Sequence, residues 1–168
     1  YKLTINRCDF RINGSTNAVP AVTIGEGGGE ALIYNSVFHS NAGKPLVATD
    51  TKVVNCTFAL NGGGLEFADK QGQSEMHNSV LWRNNGYKNT DEWTGLSTGS
   101  MSHNAISSLK TDDETYNNVT LDANNNDVLK GPNFFDPVLS ASDSWVMATR
   151  DFRVNPSAKI IGKASPKK

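Results

Sequence analysis

Apolar and polar residues alternate in short segments along this chain, and four of the segments align with one another without gaps. They span residues 5–14, 33–42, 53–62 and 76–85. Each runs from an apolar residue through Asn and then Cys or Ser to Phe or Leu, and reaches a second Asn three residues later; only Arg7 departs from the first Asn. The Cys/Ser and Phe/Leu positions are two residues apart, which is the alternation of a strand with one inward face.

The spacing of the four segments predicts a solenoid of stacked strands. Measured at the aromatic position, from Phe10 to Phe38, Phe58 and Leu81, the periods are 28, 20 and 23 residues. Periods of roughly 20–30 residues with variable insertions are typical of solenoids. Further short strands are predicted at 45–48 and 64–68, which gives three strands per coil. The stretch from Asn13 to Gly29 is interpreted as an outward loop.

Stacking of the segments predicts columns of similar side chains on successive coils. The inward columns are Ile5, Ile33, Val53 and Met76; Cys8, Ser36, Cys56 and Ser79; and Phe10, Phe38, Phe58 and Leu81. The first Asn column (Asn35, Asn55 and Asn78) interrupts the alternation. We expect it at a bend, because Asn tolerates left-handed backbone angles, and we expect its amides to hydrogen-bond in a ladder. The second Asn column (Asn13, Asn41, Asn61 and Asn84) closes the next turn.

The column positions of the two cysteines argue against a disulfide. Cys8 and Cys56 occupy the same column two coils apart. Adjacent strands are about 4.8 Å apart, so about 9–10 Å would separate the two residues. A disulfide needs Cα atoms within about 7 Å of each other. The sequence therefore predicts two buried free thiols.

Charge and hydropathy exclude two classes of partner. The chain has 16 basic and 17 acidic residues, so it lacks the basic surface expected of a nucleic-acid binder. No apolar run approaches the roughly 20 residues needed to cross a bilayer, so no membrane span is expected. The chain begins with Tyr1 in a strand-like segment, and we interpret it as a fragment whose N-terminal part is missing.

The Phe-x-x-Asn motifs resemble those of two groups of β-helical proteins. The motifs at 10–13, 38–41 and 58–61 are similar to the repeats of polymorphic outer-membrane proteins and of the pectate-lyase-like superfamily. Residues 131–137 and 151–162 resemble the closing segment of bacterial surface β-helices. The resemblance implies an all-β, right-handed, single-stranded parallel β-helix. It also implies a C-terminal fragment of a bacterial protein that is secreted or located at the cell surface, associated with the outer membrane.

The repeat divides the chain into two parts of one domain. Residues 1–86 are predicted to form the regular coils, and residues 87–168 the degenerate last coil or coils and an irregular C-terminal cap. A weak coil is expected at 101–108, where His103-Asn104-Ala105-Ile106 echoes His77-Asn78-Ser79-Val80. Terminal repeats are commonly atypical because they cap the core.

The sequence yields no catalytic set, no metal site and no cofactor. Hydrolytic sites of glycosidases need paired carboxylates on one face, and only one of the outward positions Asp9, Val37, Thr57 and Val80 is acidic. No Ser-His-Asp arrangement with a nucleophile elbow is recognisable. His39, His77 and His103 are expected on different edges, as ordinary surface or turn histidines rather than as a metal set.

Aromatic residues give the one candidate binding site. Trp82 is expected to point outward, and Tyr87 and Trp93 lie just beyond it, next to Arg83. An exposed aromatic cluster of this kind could stack on sugar rings. The alternative, which we favour, is that segment 86–100 folds back over Trp82 and buries it.

These observations favour a non-catalytic extracellular or cell-surface module for adhesion or glycan contact, with a polysaccharide or a cell-surface molecule as ligand. Two alternatives stay open: a polysaccharide lyase or glycoside hydrolase whose site lies partly in missing N-terminal coils, and a structural stalk. The strand edge around Leu3–Asp9 is expected to pair with those missing coils, or end to end with another copy, because open strand edges recruit further strands.

Overall fold

The computed structural model describes residues 3–14, 19–25, 30–69, 72–87, 92–109, 115–121, 134–136 and 151–154. Within these ranges the chain is all-β, with short strands, a four-residue helical segment α1 (Asn84–Tyr87) and a 3-10 helix (Thr98–Ser100). The strands are β1 (Leu3–Asn6), β2 (Asp9–Arg11), β3 (Val22–Ile24), β4 (Ala31–Tyr34), β5 (Val37–His39), β6 (Leu46–Ala48), β7 (Thr51–Val54), β8 (Thr57–Ala59), β9 (Leu65–Phe67), β10 (Glu75–His77), β11 (Val80–Trp82), β12 (Trp93–Thr94), β13 (Met101–Ser102), β14 (Ala105–Ile106), β15 (Val119–Thr120), β16 (Phe134–Asp136) and β17 (Asp151–Val154).

Three parallel sheets account for the first fifteen of these strands. Sheet A runs β1-β4-β7-β10-β13, sheet B runs β2-β5-β8-β11-β14-β15, and sheet C runs β3-β6-β9-β12. From β1 to β12 the chain therefore enters the three sheets in rotation, one strand in each. This order is compatible with the predicted three strands per coil. Strands β16 and β17 form a separate antiparallel pair.

The strand register reproduces the inward columns predicted from the sequence. In sheet A, Ile5, Ile33, Val53, Met76 and Met101 are successive partners. In sheet B, the ring centroids of Phe10 and Phe38 are 4.6 Å apart and those of Phe38 and Phe58 are 4.8 Å apart, with the rings stacked. These distances lie within the range in which aromatic pairs contribute beyond the area that they bury.

The main core is built from all three sheets. Sheet A contributes Ile33, Val53, Met76 and Met101, sheet B Phe38, Phe58, Leu81 and Ile106, and sheet C Leu46, Ala48, Leu65 and Phe67, all with 3% exposure or less. Cys56 completes the cluster, where it acts as a small apolar side chain. Because every turn of the chain adds one side chain to each column, the core extends along the stack of strands rather than forming a compact centre.

A row of left-handed residues makes the bend between sheets A and B. The φ angles of Asn35, Asn55 and Asn78 are 52°, 53° and 51°, as expected of the first Asn column. Arg7 and His103 occupy the same row, with φ of 55° and 57°. Asn is the non-glycine residue that most readily adopts these angles, which explains why the sequence repeats it here.

The second Asn column forms a buried amide ladder. The Nδ2 atoms of Asn13, Asn41 and Asn61 donate to the Oδ1 of the next Asn in the column at 2.9, 2.8 and 2.7 Å. The backbone N–H groups of the same three residues donate to the same oxygens. The bonds between the Asn side chains therefore all run from β1 towards β13. The Nδ2 atoms of Asn41, Asn61 and Asn84 also donate in the opposite direction, to the carbonyls of Phe10, Phe38 and Phe58.

A buried carboxylate ends the amide ladder. Asn84 donates from Nδ2 to Glu92 Oε2 at 2.6 Å, and Ser107 Oγ donates to Oε1. Glu92 is 0% exposed. Burial raises the pKa of this carboxyl, and the hydrogen bonds from Ser107 and Asn84 oppose that rise only in part. Glu92 therefore takes the place that a further Asn would hold in the column.

The structure corrects two details of the predicted organisation. The stretch 13–29 is not only a loop, because it contains β3, which pairs with β6. Past residue 86, where a degenerate last coil was expected, β12 to β14 extend all three sheets. In this extension Met101 aligns with Met76, so Asn104 aligns with Ser79 and not with Asn78. The sequence comparison at 101–108 was therefore one residue out of register.

Asn104 carries a second short ladder in the Cys/Ser column. Ser79 N donates to Asn104 Oδ1 at 2.9 Å, and Asn104 Nδ2 donates to Asn118 Oδ1 at 3.0 Å. Further back in the column, the backbone N–H groups of Cys8 and Cys56 donate to the hydroxyls of Ser36 and Ser79. The larger Asn side chains fill this column in the last turns. The predicted cap, residues 87–168, falls mainly outside the described residues.

The outer face of sheet B is also buried. A second apolar cluster on this face comprises Ala59, Leu60, Val80, Trp82, Ala105 and Leu121. Strand β17 contacts β8, the strand that carries Phe58 of the Phe stack. Sheet B is thus covered on both sides, as its apolar outward residues require.

Candidate functional site

The outer face of sheet A is the polar surface that the strands leave open. Two rows of side chains cross it. One row consists of Thr4, Leu32, Lys52 and Glu75, and the other of Asn6, Tyr34, Val54, His77 and Ser102. All of them are half-buried or exposed. Their arrangement follows from strand alternation, because the inward partners on the same strands fill the core.

A hydrogen-bonded cluster lies at one end of this face, on β7, β10 and β13. His77 Nδ1 is 2.8 Å from Ser102 Oγ, and His77 Nε2 is 3.3 Å from Glu75 Oε2. Lys52 Nζ lies 3.4 Å from the same Glu75 oxygen. The His77 and Glu75 side chains are 33% and 42% exposed, so solvent and ligands can reach the cluster. We call these four residues the sheet A cluster.

The charge of Glu75 fixes the tautomer of His77. Slight burial alone would raise the pKa of Glu75, but the hydrogen bond from His77 and the charge of Lys52 outweigh it and lower that pKa. Glu75 is therefore ionised at neutral pH and can only accept hydrogen bonds. In the neutral imidazole, Nε2 must then carry the proton, and Nδ1 accepts the hydroxyl proton of Ser102.

Exposed amides border the same face. Asn55 Nδ2 lies 3.4 Å from Asn35 Oδ1, and Asn35 Nδ2 lies 3.5 Å from Asn6 Oδ1. The ladder predicted for the first Asn column is present in this long, solvent-exposed form, whereas the short bonds belong to the second column. The loosely held amides keep hydrogen-bonding capacity for a ligand.

The four predicted sugar-binding residues do not form an exposed cluster. Trp82 lies on the outer side of sheet B but is 0% exposed and packs in the outer cluster, so it is buried, as the favoured alternative expected. Trp93 pairs with Leu65 in sheet C and packs against the main core. Arg83 lies over the Trp82 ring, 5.7 Å from its centroid. Tyr87 ends α1, and its side chain lies outside the described part of the chain.

Two further expectations need correction. His39 is not a surface histidine: it is 1% exposed on β5, with Nε2 3.3 Å from Asp9 Oδ1, because the outer face of sheet B is covered. Burial lowers the pKa of His39, although the carboxylate of Asp9 acts in the opposite direction. Cys8 and Cys56 are both free, as predicted, but only Cys56 is buried. Cys8 is exposed because it joins β1 and β2, the outermost strands of their sheets.

The three predicted histidines occupy separate places, and within the described ranges no group of three or more His, Cys, Asp or Glu side chains could hold a metal ion. The sheet A cluster was missed in the sequence because its members lie on three strands. Glu75 and His77 alternate around an inward Met76, which marks them as neighbours on one face. Ser102 could be added only with the correct register of β13.

In the part of the chain that the structure describes, no helix has the length and apolar character needed to cross a membrane. Comparisons with protein-family models, with curated proteins and with solved structures found no match to this chain.

Proposed function

We propose that this chain is an extracellular or cell-surface module of the right-handed parallel β-helix type, with a C-terminal cap, and that it contacts a glycan through the outer face of sheet A. The resemblance of the Phe-x-x-Asn motifs supports the β-helix and the export. The rotation of strands through three parallel sheets is the topology that such a helix requires.

One observation carries the glycan contact: a half-buried tyrosine lies among polar side chains on the open face. Tyr34 stands between Asn6 and Val54 in its row, and the amides of Asn35 and Asn55 border it. Sugar rings present apolar faces and many hydroxyl groups. The aromatic ring of Tyr34 can stack on the apolar face of a sugar ring. The side-chain amides, His77 and Lys52 can form hydrogen bonds with the sugar hydroxyl groups.

The covered outer face of sheet B supports the choice of sheet A. With Trp82 and His39 buried there, the described residues on the outer face of sheet B are open mainly at β2, where Asp9 and Arg11 are exposed. The ligand contact predicted around Trp82 is therefore assigned to Tyr34 instead. The bacterial and outer-membrane origin rests on the motif resemblance alone.

Electrophoresis of the native chain through gels that contain embedded polysaccharides tests this proposal. We expect at least one polymer to retard the chain, and Tyr34→Ala to weaken that retardation by about fivefold in affinity, which corresponds to about 1 kcal/mol of aromatic contact. Val19→Ala is the control, because Val19 is an exposed apolar residue outside the strands of sheet A.

Each result has a defined meaning. Retardation that Tyr34→Ala and Val19→Ala leave equally strong would contradict the assigned face. Migration unchanged in every gel would overturn glycan contact and favour the structural stalk. Loss of polymer around the band would favour the lyase or glycoside hydrolase.

A further inference from the structure

We propose that Ser102, His77 and Glu75 form a nucleophilic site that hydrolyses carboxylic esters. This goes beyond the glycan contact and does not depend on it. Ser102 is the nucleophile and His77 the general base. Glu75 is a positioning residue, because it acts on the substrate only through the imidazole.

The order of the hydrogen bonds carries the proposal. A serine hydroxyl is a weak nucleophile unless a base within hydrogen-bonding distance takes its proton, and the base works best when a third group orients it. Ser102 Oγ lies 2.8 Å from His77 Nδ1, and His77 Nε2 lies 3.3 Å from Glu75 Oε2. Both distances fit this order of nucleophile, base and orienting group. In this chain, His77 Nδ1 faces the nucleophile and His77 Nε2 faces the carboxylate.

The pairing register of β10 and β13, rather than a strained turn, brings the three side chains together. Ser102 and His77 are direct partners on β13 and β10, and Glu75 lies two residues before His77 on the same face. Residues such as these are recognised by geometry and roles, since the same arrangement occurs on unrelated folds. Strand β13 is the last strand of sheet A, and beyond it lies a turn that carries Tyr116, whose carbonyl accepts from His103 N.

The reaction balances with water as the only co-reactant. Ser102 Oγ attacks the acyl carbon while its proton passes to His77 Nδ1. The alcohol departs with that proton, and the acyl group stays on Ser102 as an ester. Water then attacks this ester, gives its proton to His77, and the proton returns to Ser102 Oγ as the carboxylic acid leaves. Lys52 Nζ, 3.4 Å from Glu75 Oε2, helps to keep that carboxylate ionised, so that it continues to orient the imidazole.

Hydrolysis of p-nitrophenyl acetate by the full chain tests the proposal, in a Cys8→Ser background, because the exposed thiol of Cys8 would itself react with this ester. Ser102→Ala and His77→Gln should each lower the catalysed rate by about 100-fold or more, the usual contribution of a general base. Glu75→Gln should lower kcat and leave KM nearly unchanged. His103→Asn is the matched control: it removes a histidine one residue beyond Ser102, where Asn suits the left-handed backbone.

A fluorophosphonate probe gives a second readout that does not depend on turnover. We expect it to label Ser102, as located by peptide mass spectrometry, and to lose that label in His77→Gln. A Ser102→Ala variant that keeps the parent's rate, or a probe that leaves Ser102 unlabelled in the folded chain, would overturn the proposal. The gel assay contains no ester and the ester assay contains no polysaccharide, so failure of the glycan contact and failure of the ester site are distinguishable.

Discussion

At the scale of single residues, the most unusual group is the buried carboxyl of Glu92. It accepts hydrogen bonds from Asn84 and Ser107 and is shielded from solvent. Since burial raises its pKa, the folded chain holds the proton of Glu92 to higher pH than the unfolded chain does. The corresponding stability is fully present below the ordinary pKa of about 4.5 and is lost as the pH rises through the raised value.

Two substitutions, Glu92→Gln and Glu92→Ala, distinguish the contribution of the shape of the Glu92 side chain to stability from that of its charge. The Gln side chain can still accept from Asn84 and can donate to Ser107, so we expect Glu92→Gln to be at least as stable as the parent at pH 8 and to lose the pH dependence. Glu92→Ala leaves the buried donors of Asn84 unpaired and should cost about 1–3 kcal/mol. Urea unfolding at pH 4 and pH 8 measures both. A Gln variant that is less stable than the parent at pH 8 would contradict the assigned pKa direction.

At the scale of elements, the two Asn columns differ in what their amides do. Asn61 is 0% exposed and links Asn41, Asn84 and the carbonyl of Phe38. Asn55 is exposed, and its side chain makes one hydrogen bond of 3.4 Å. The first column is selected mainly for its left-handed backbone and the second for its amide bonds.

Two substitutions test this division. Asn61→Ala should destabilise the chain by about 2–5 kcal/mol, because it leaves several buried partners without hydrogen bonds. Asn55→Gly should change the free energy of unfolding by less than about 1 kcal/mol, since glycine adopts positive φ readily. Thermal and urea unfolding measure both changes. Equal losses in the two variants would show that the exposed column also depends on its side chains.

Element order and the inward columns could be predicted because alternation and repetition report the core directly. Phe10, Phe38 and Phe58 stack where the pattern placed them. The sheet A cluster could not be predicted, because one residue of register decides whether Ser102 or His103 lies beside His77. Burial of Trp82 was favoured from the sequence, but its neighbour Leu121 in the outer cluster could not be predicted, because it lies far away in the sequence.

At the scale of the whole molecule, the stack of strands sets the distance between the thiols. Cys8 and Cys56 lie two strands apart in one column, with Ser36 between them. The spacing, about 9–10 Å, is too long for a disulfide. Burial raises the pKa of Cys56 to about 11, which keeps it in the unreactive thiol form at neutral pH.

Thiol titration checks this arrangement. With an aromatic disulfide reagent at pH 8, we expect one equivalent of reactive thiol in the native chain and two equivalents in urea. Cys8→Ser should remove the thiol that reacts in the native chain. Oxidising conditions should leave the monomer without an internal disulfide, as peptide mapping would show. A Cys8–Cys56 bridge in the folded chain would contradict the strand order.

The one-way amide ladder has a consequence for assembly. Asn13 donates to Asn41 and leaves its own carbonyl oxygen on the side of β1 and β2, the outermost strands of sheets A and B. Within the row, each Nδ2 also donates to a carbonyl of the preceding strand, as Asn41 does to Phe10. A further strand at this end continues the row only if it supplies both a carbonyl oxygen for Asn13 Nδ2 and a donor for Asn13 Oδ1. The amide row therefore selects the direction and register of any strand that is added there.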